Sequence, residues 1–188
     1  RRHRDHAGEH VAVTRRNVEL KARCNDLEAG AAAAARIGAA DTDSLVQVDT
    51  YFQAADGRLK LREITSRESG ESAELIWYAR PDQESARTSR YHVVPVPRPD
   101  AIRQMLDDGL GIRVVVRKTR RLFLWQNVRI HLDEVENLGS FLEFEAVLED
   151  GQDEADGYTQ LEQLQHEFGV GPADVIGTSY SDLLSPGG

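Results

Sequence analysis

The sequence predicts an α+β fold: a closed antiparallel β-barrel of about eight strands, lined by charged side chains, with helices packed outside. Three observations predict it. Strand-like runs outnumber helical ones and are separated by turn signals such as Asp56-Gly57, Ser69-Gly70 and Pro81-Asp82. Five of these runs alternate charged with apolar residues, so each carries one polar and one apolar face. A single chain with this many strands curls or closes, because an open sheet leaves unpaired edges.

The elements follow in order. Residues 1–14 form a polar lead-in; RRHRDHAGEH is basic but has no apolar segment, so it does not read as a secretory signal. A strand covers Arg15 to Cys24, and the single domain runs over 15–184. Asp26 caps a helix from Leu27 to Ile37, with Ala31–Ala35 at its centre and Gly38 as its stop. Strand-like runs fall at 45–54, 58–64, 73–79 and 88–96. Pro99 to Asp108 is helical, with Ile102, Met105 and Leu106 at helical spacing before Gly109. Further strands fill 112–120, 121–126, 127–134 and 140–149. An acidic linker, Glu149–Asp156, leads to an amphipathic helix bearing Leu161, Leu164 and Phe168. Tyr180, Ser181 and Asp182 either cap one mouth of the barrel or, with the leucines that follow, belong to a docked C-terminus, and 185–188 is a tail.

Composition narrows the function. Hydrophobic residues at 40% and charged residues at 29% are ordinary for a soluble globular protein. No apolar run approaches the roughly 18 residues of a membrane span, so no membrane partner is expected. Cys24 is the only cysteine, which excludes an internal disulfide and fits a reducing, cytoplasmic compartment. A net charge of −9 argues against nucleic acid as a general partner. A homodimer is one oligomeric state left open.

The strand faces carry the functional signal. Glu19, Lys21 and Arg23 share a face in the first strand, and Arg58, Lys60 and Arg62 share one in the third. Val116, Lys118 and Arg120 share another; Arg129, His131 and Asp133 oppose Ile130 and Leu132; Glu143 and Glu145 oppose Leu142 and Phe144. For any single strand, the plain reading is an apolar face on helices and a charged face in water. Repeated through a closing sheet, the charged faces instead point inward and line a lumen. Enclosed charges are costly unless paired or matched by a ligand. Many cations beside fewer carboxylates suit a polyphosphate with a divalent metal: Arg and Lys hold phosphate oxygens, and carboxylates hold hard Mg²⁺ or Mn²⁺.

The same pieces resemble the CYTH family, also called triphosphate tunnel metalloenzymes, which includes class IV adenylate cyclases, thiamine triphosphatases and inorganic triphosphatases. The family's opening E-x-E-x-K strand corresponds to Asn17-Val18-Glu19-Leu20-Lys21. The likeness continues through Arg58-Leu-Lys60-Leu-Arg62, Leu75-Ile-Trp77-Tyr-Ala-Arg80, Arg117-Lys118-Thr-Arg120, Arg129-Ile-His131-Leu-Asp133 and Glu143-Phe-Glu145, over about 15 to 184. It implies an eight-stranded antiparallel tunnel. It further implies Glu19, Glu143 and Glu145 as metal-site carboxylates, with Asp133 as a further ligand for Mg²⁺ or Mn²⁺. Lys21, Arg58, Lys60, Arg62, Lys118, Arg120 and Arg129 become phosphate-binding residues, joined by Arg80 at a strand end, and Lys21, Lys118 and Arg120 are the charge-stabilising catalytic set.

The substrate implied is a small-molecule triphosphate: ATP, inorganic triphosphate or thiamine triphosphate. In a class IV-type cyclase the ribose 3′-hydroxyl attacks the α-phosphorus; in a triphosphatase, water attacks the terminal phosphorus. The whole-chain resemblance leans toward the cyclase branch, and Trp77, Tyr78, Tyr91 or His92 are available for base stacking or for core packing. One residue departs from the pattern. Asn17 replaces the family's first glutamate with a neutral oxygen, a weaker ligand for a divalent cation, which keeps a non-catalytic polyphosphate or nucleotide sensor in view. His131 is open as base, ligand or structural histidine; His3, His6 and His10 read as a solvated tail, and Cys24 lacks the neighbours of a nucleophile.

Overall fold

The structure, a computed structural model, describes residues 13–79, 86–149 and 151–185, with the side chains of 13–15, 87, 89 and 90 left aside. Its strands are β1 (Val13–Arg23), β2 (Ala40–Phe52), β3 (Arg58–Ser66), β4 (Gly70–Ala79), β5 (Arg87–Pro95), β6 (Ile112–Trp125), β7 (Val128–Val135) and β8 (Gly139–Leu148). Its helices are α1 (Leu27–Arg36), α2 (Pro99–Leu110), α3 (Glu154–Phe168) and the short α4 (Tyr180–Leu184). All strand pairs are antiparallel and form one strongly curled sheet in the order β1-β5-β4-β3-β2-β6-β7-β8. β1 hydrogen-bonds to β5 on one side and to β8 on the other, so the first strand is flanked by both ends of the ladder.

Two differences from the sequence reading have local causes. The runs at 112–120 and 121–126 are one strand, because β2 and β7 pair continuously through the Arg120-Arg121 step. β2 begins at Ala40 rather than 45, since its polar Asp41–Ser44 segment still pairs with β6 across a bulge between Asp41 and Asp43. That bulge is invisible to a period-two pattern.

The helices cover the apolar faces. Val18, Leu20, Ile130, Leu132, Leu142 and Phe144 are buried together with Leu161 and Leu164 of α3. Each such large side chain contributes about 1.5–3 kcal/mol on burial. The contact of α3 with β1 is close: a Cβ on Gly157 would lie 2.9 Å from Val18 Cγ2, so a glycine is what lets the helix sit there. α1 begins on the Asp26 cap, whose carboxylate accepts from the Ala29 amide, and its alanines permit similar proximity. α3 begins within the acidic run, with Asp153 as its N-cap and Glu154 and Asp156 in its first turn, where negative charge suits the helix dipole. α2 seats Ile102 and Leu106 over Phe52, Leu61, Ala73 and Val96. With these faces turned outward, the alternate residues of the strands face a shared interior. Among the described residues no helix is long and apolar enough to cross a membrane.

Candidate functional site

The interior holds a cavity of about 680 Å³ lined by charged side chains from most of the strands. Glu19, Lys21, Lys60, Arg62, Lys118, Arg120, Arg129, Glu143 and Glu145 all line it, as does His131. Strand parity brought these residues to one space. Arg80 falls outside the described residues.

One wall is basic. Asp49 Oδ1 and Oδ2 accept from Arg62 Nε and Nη2 at 2.7 and 2.8 Å, and Lys60 Nζ donates to the same carboxylate at 2.8 Å. Asp133 is held alike: Arg120 Nε and Nη2 each reach it at 2.6 Å, Lys118 Nζ at 3.3 Å and the Tyr180 hydroxyl at 3.2 Å. Burial pushes the Asp133 carboxyl up, but Arg120 and Lys118 outweigh it and hold the group well below the usual carboxylate range. Asp49 stays ionised in the same way: burial raises it, and Arg62 and Lys60 more than reverse that. The lysines bear the cost of crowding. Burial and then the Arg120 charge push Lys118 down to about 7, and burial and then Arg62 push Lys60 down to about 8.

The facing wall, on β1, β7 and β8, is acidic. Register sets Glu19 directly opposite Glu145, which is opposite Arg129; in the next row Lys21 opposes Glu143, which opposes His131. The contacts of Glu143 and Glu145 with Arg120, Arg129 and His131 are longer. Arg120 Nη2 donates to Glu143 at 3.2 Å and Arg129 Nη1 to Glu145 at 3.4 Å, while His131 stands 3.9 and 3.8 Å from those two carboxylates. The Asn17 amide nitrogen donates to Glu145. Burial and then Arg120 lower the His131 pKa, which keeps the imidazole neutral near pH 7.

Asn17 Oδ1, Gln47 Oε1 and His131 Nδ1 are buried in the cavity lining and make no hydrogen bond among the described residues. Such groups are costly unless a ligand or water completes them. For a hard divalent cation the donor chemistry fits: carboxylates on neighbouring strands and an uncommitted amide oxygen at Asn17. Among the described residues no three acidic, His or Cys groups are already gathered around one point, so the carboxylates would have to leave Arg120 and Arg129 to converge.

Some expected residues take other places. Asp133 is fully buried behind the basic wall, with both oxygens engaged by Arg120, Lys118 and Tyr180, and it does not line the cavity. Arg58 lies at the mouth, 2.6 Å from Asp182 of α4, a carboxylate that Arg113 also reaches at 2.7 Å. Thus Tyr180 and Asp182 do cap that end, with Lys21 Nζ 4.0 Å above the Tyr180 ring and Phe141 packed against it. Arg23 is exposed, beside Phe141. Of the four aromatic candidates, Tyr78 and Tyr91 line the cavity, whereas Trp77 and His92 stack on each other at 5.7 Å on the opposite strand face. Asp49, Gln47 and Tyr51 escaped the sequence reading, although Gln47-Val-Asp49-Thr-Tyr51 carries the same alternation as the strands that were read.

Three likenesses accompany this geometry. A Methanocaldococcus jannaschii protein with a provisional adenylate cyclase name is 22% identical over 170 residues, covering 88% of this chain and 97% of that one. A solved Pyrococcus horikoshii structure matches at 26% identity and a TM-score of 0.76, over 89% of this chain and 97% of its own. A Hippeastrum protein provisionally assigned as an adenylyl cyclase, and described as having a dominant triphosphatase activity, shares the fold at 13% identity and a TM-score of 0.59, over 90% and 93% of the two chains. The CYTH domain model matches residues 15–180, and the chain belongs to the CYTH-domain family.

Proposed function

We propose that this chain is a metal-dependent enzyme acting on a triphosphate inside a closed tunnel, most simply an adenylate cyclase converting ATP to cyclic AMP and pyrophosphate. The single observation that carries the reading is one cavity with a cation-rich wall facing a carboxylate-rich one. Lys60, Arg62, Lys118, Arg120 and Arg129 hold phosphate oxygens, and Lys21 completes the ring from β1. Arg58 serves at the mouth rather than at the floor. Glu19, Glu143 and Glu145, with the Asn17 amide oxygen, hold Mg²⁺ or Mn²⁺. Such an ion, when bound, polarises phosphate oxygens as a Lewis acid.

The chain's own contribution is positioning and charge. Asp49 and Asp133 are positioning residues: they fix the guanidinium planes of Arg62 and Arg120 so that no reorganisation is needed when charge develops on the phosphates. Lys21, Lys118 and Arg120 stabilise the charge that grows on the leaving pyrophosphate. Hydrolysis of the terminal phosphate is the second reading, favoured by the activity described for the Hippeastrum relative. Both use the same walls and differ in the attacking oxygen.

The test is product analysis. Purified protein is incubated with Mn²⁺ or Mg²⁺ and, separately, ATP, inorganic triphosphate and thiamine triphosphate, with an EDTA control. Cyclic AMP with pyrophosphate is the expected outcome. Orthophosphate with a diphosphate product makes the protein a triphosphatase, and tight binding with no product makes it a sensor.

A further inference from the structure

The cavity is not charged throughout. At the α4 end it is sealed by an apolar cluster in which Val116, Val135 and Phe141 pack around Tyr180. Toward the opposite mouth its lining changes to Leu45, Ile64 and Leu122, all half-buried. Register draws these three together. Leu45 pairs with Arg120, whose next same-face neighbour on β6 is Leu122; Ile64 pairs with Gln47, the next same-face residue after Leu45 on β2. An apolar patch therefore adjoins the basic wall, on the side that α4 leaves uncovered.

Gln47 supplies an independent observation. Its side chain is 3% exposed, it lines the cavity between Lys118 on β6 and Ile64 on β3, and its Oε1 accepts no hydrogen bond. An ionised phosphate oxygen is itself an acceptor and cannot satisfy that atom; an O–H or N–H donor does, and the carboxylates that would hold a cation lie on β1 and β8 rather than beside it. Inorganic triphosphate has no sugar hydroxyl or base to offer there and gains nothing from apolar walls. A cavity of about 680 Å³ has the size of sites for whole organic ligands, so the charged floor need not be its entire purpose.

We infer that Gln47, Leu45, Ile64 and Leu122 form a subsite for the nucleoside part of a nucleoside triphosphate. The Gln47 oxygen accepts from a sugar hydroxyl, and the three apolar side chains cover the base. This inference rests on the triphosphate reading above. It assigns the organic end to the open mouth rather than to the tyrosines near α4.

Equilibrium titration in EDTA, where no turnover occurs, tests it with three ligands: ATP, 2′,3′-dideoxy-ATP and inorganic triphosphate. The wild-type protein is expected to bind ATP about tenfold more tightly than inorganic triphosphate, with dideoxy-ATP weaker than ATP by roughly three- to tenfold for one lost hydrogen bond. Gln47→Met should bring ATP down to the dideoxy level and leave inorganic triphosphate unchanged. The double variant Leu45→Ser/Ile64→Ser should weaken both nucleotides by about tenfold and again spare inorganic triphosphate. Inorganic triphosphate thus reports on folding within the same experiment, and the wild-type ligand ratios need no variant at all. Equal wild-type affinity for the three ligands overturns the subsite while leaving the triphosphate reading intact. Failure to bind any of them overturns both.

Discussion

On the basic wall, Asp49 and Asp133 are each gripped by an arginine fork and a lysine, with contacts between 2.6 and 3.3 Å. On the acidic wall, Glu143 and Glu145 meet Arg120, Arg129 and His131 at 3.2 Å and beyond, and an amide oxygen and an imidazole nitrogen beside them make no hydrogen bond among the described residues. The acidic wall is also the wetter one: the Glu143 and Glu145 side chains are 15% and 14% exposed, against 3% for Asp49 and none for Asp133. The basic wall is finished: its carboxylates are engaged by the protein's own cations, which on the proposed reading keeps those cations in place for an incoming anion. The acidic wall is unfinished, with charge that a ligand can claim. Separating the two walls lets the protein fold around a dense set of like charges without pairing all of them internally.

The sharpest test of this division is to remove a carboxylate from each wall. Asp133→Ala removes the buried carboxylate that Arg120 and Lys118 share, leaving Arg120 its longer contact with Glu143, and should lower stability by about 3–5 kcal/mol in chemical denaturation. Glu145→Gln should cost about 1 kcal/mol or less in the same assay, because its ion pair is long and its amide neighbour remains. The same Glu145→Gln variant should nonetheless bind Mn²⁺ more weakly in titration calorimetry and lose metal-dependent turnover. Equal stability losses from the two substitutions would erase the distinction between the walls.

A smaller effect lies in pH. Lys118 sits near 7 and Lys60 near 8 in the free protein, both below the ordinary lysine value of 10.5. A bound polyphosphate restores their charge, so binding takes up protons wherever the free lysines are neutral. Affinity for inorganic triphosphate should then be greatest below about pH 7 and fall as pH rises through 8 to 9. Calorimetry in buffers of different ionisation enthalpy should register the uptake at pH 8; a flat profile there would mean that the lysines are charged before the ligand arrives. For folding the sign is the opposite of the usual raised-pKa case. The unfolded chain binds protons that these lysines lack, so their penalty on stability eases as pH rises from about 7 toward 10.5.

Much of this site was legible because a strand has a period of two. Once Lys60, Lys118 or Glu145 is known to lie in a strand, its face is known, and ten charged or imidazole-bearing residues were placed on the cavity side in that way. Parity does not give depth along the strand or the identity of a partner. Asp133 shares a face with Arg129 and His131, yet register puts it opposite Arg120, which captures it before any ligand could. Arg58 has the parity of Lys60 and Arg62 but starts its strand, within reach of Asp182 far along the chain. Asp49 was missed because β2 mixes polar and aromatic residues on its inner face, so its alternation is less plain than in its neighbours. The helices were placed well where caps announced them, at Asp26 and Pro99, and less well where acidic residues served both linker and first turn.

The double pairing of β1 has a consequence for how the chain is made. β1 carries Asn17, Glu19 and Lys21, but Glu19 and Lys21 meet Glu145 and Glu143 only across its ladder with β8, most of the chain length later. Contacts that distant in sequence form slowly, since a long loop must close before they repay it. During synthesis β1 must therefore wait, its β8 edge unpaired, until nearly the whole domain has been made. A nascent chain that already holds all of β3 and β6 has the cations of the basic wall and no acidic wall to face them. The two walls come face to face in one late step, when the first strand finds the last.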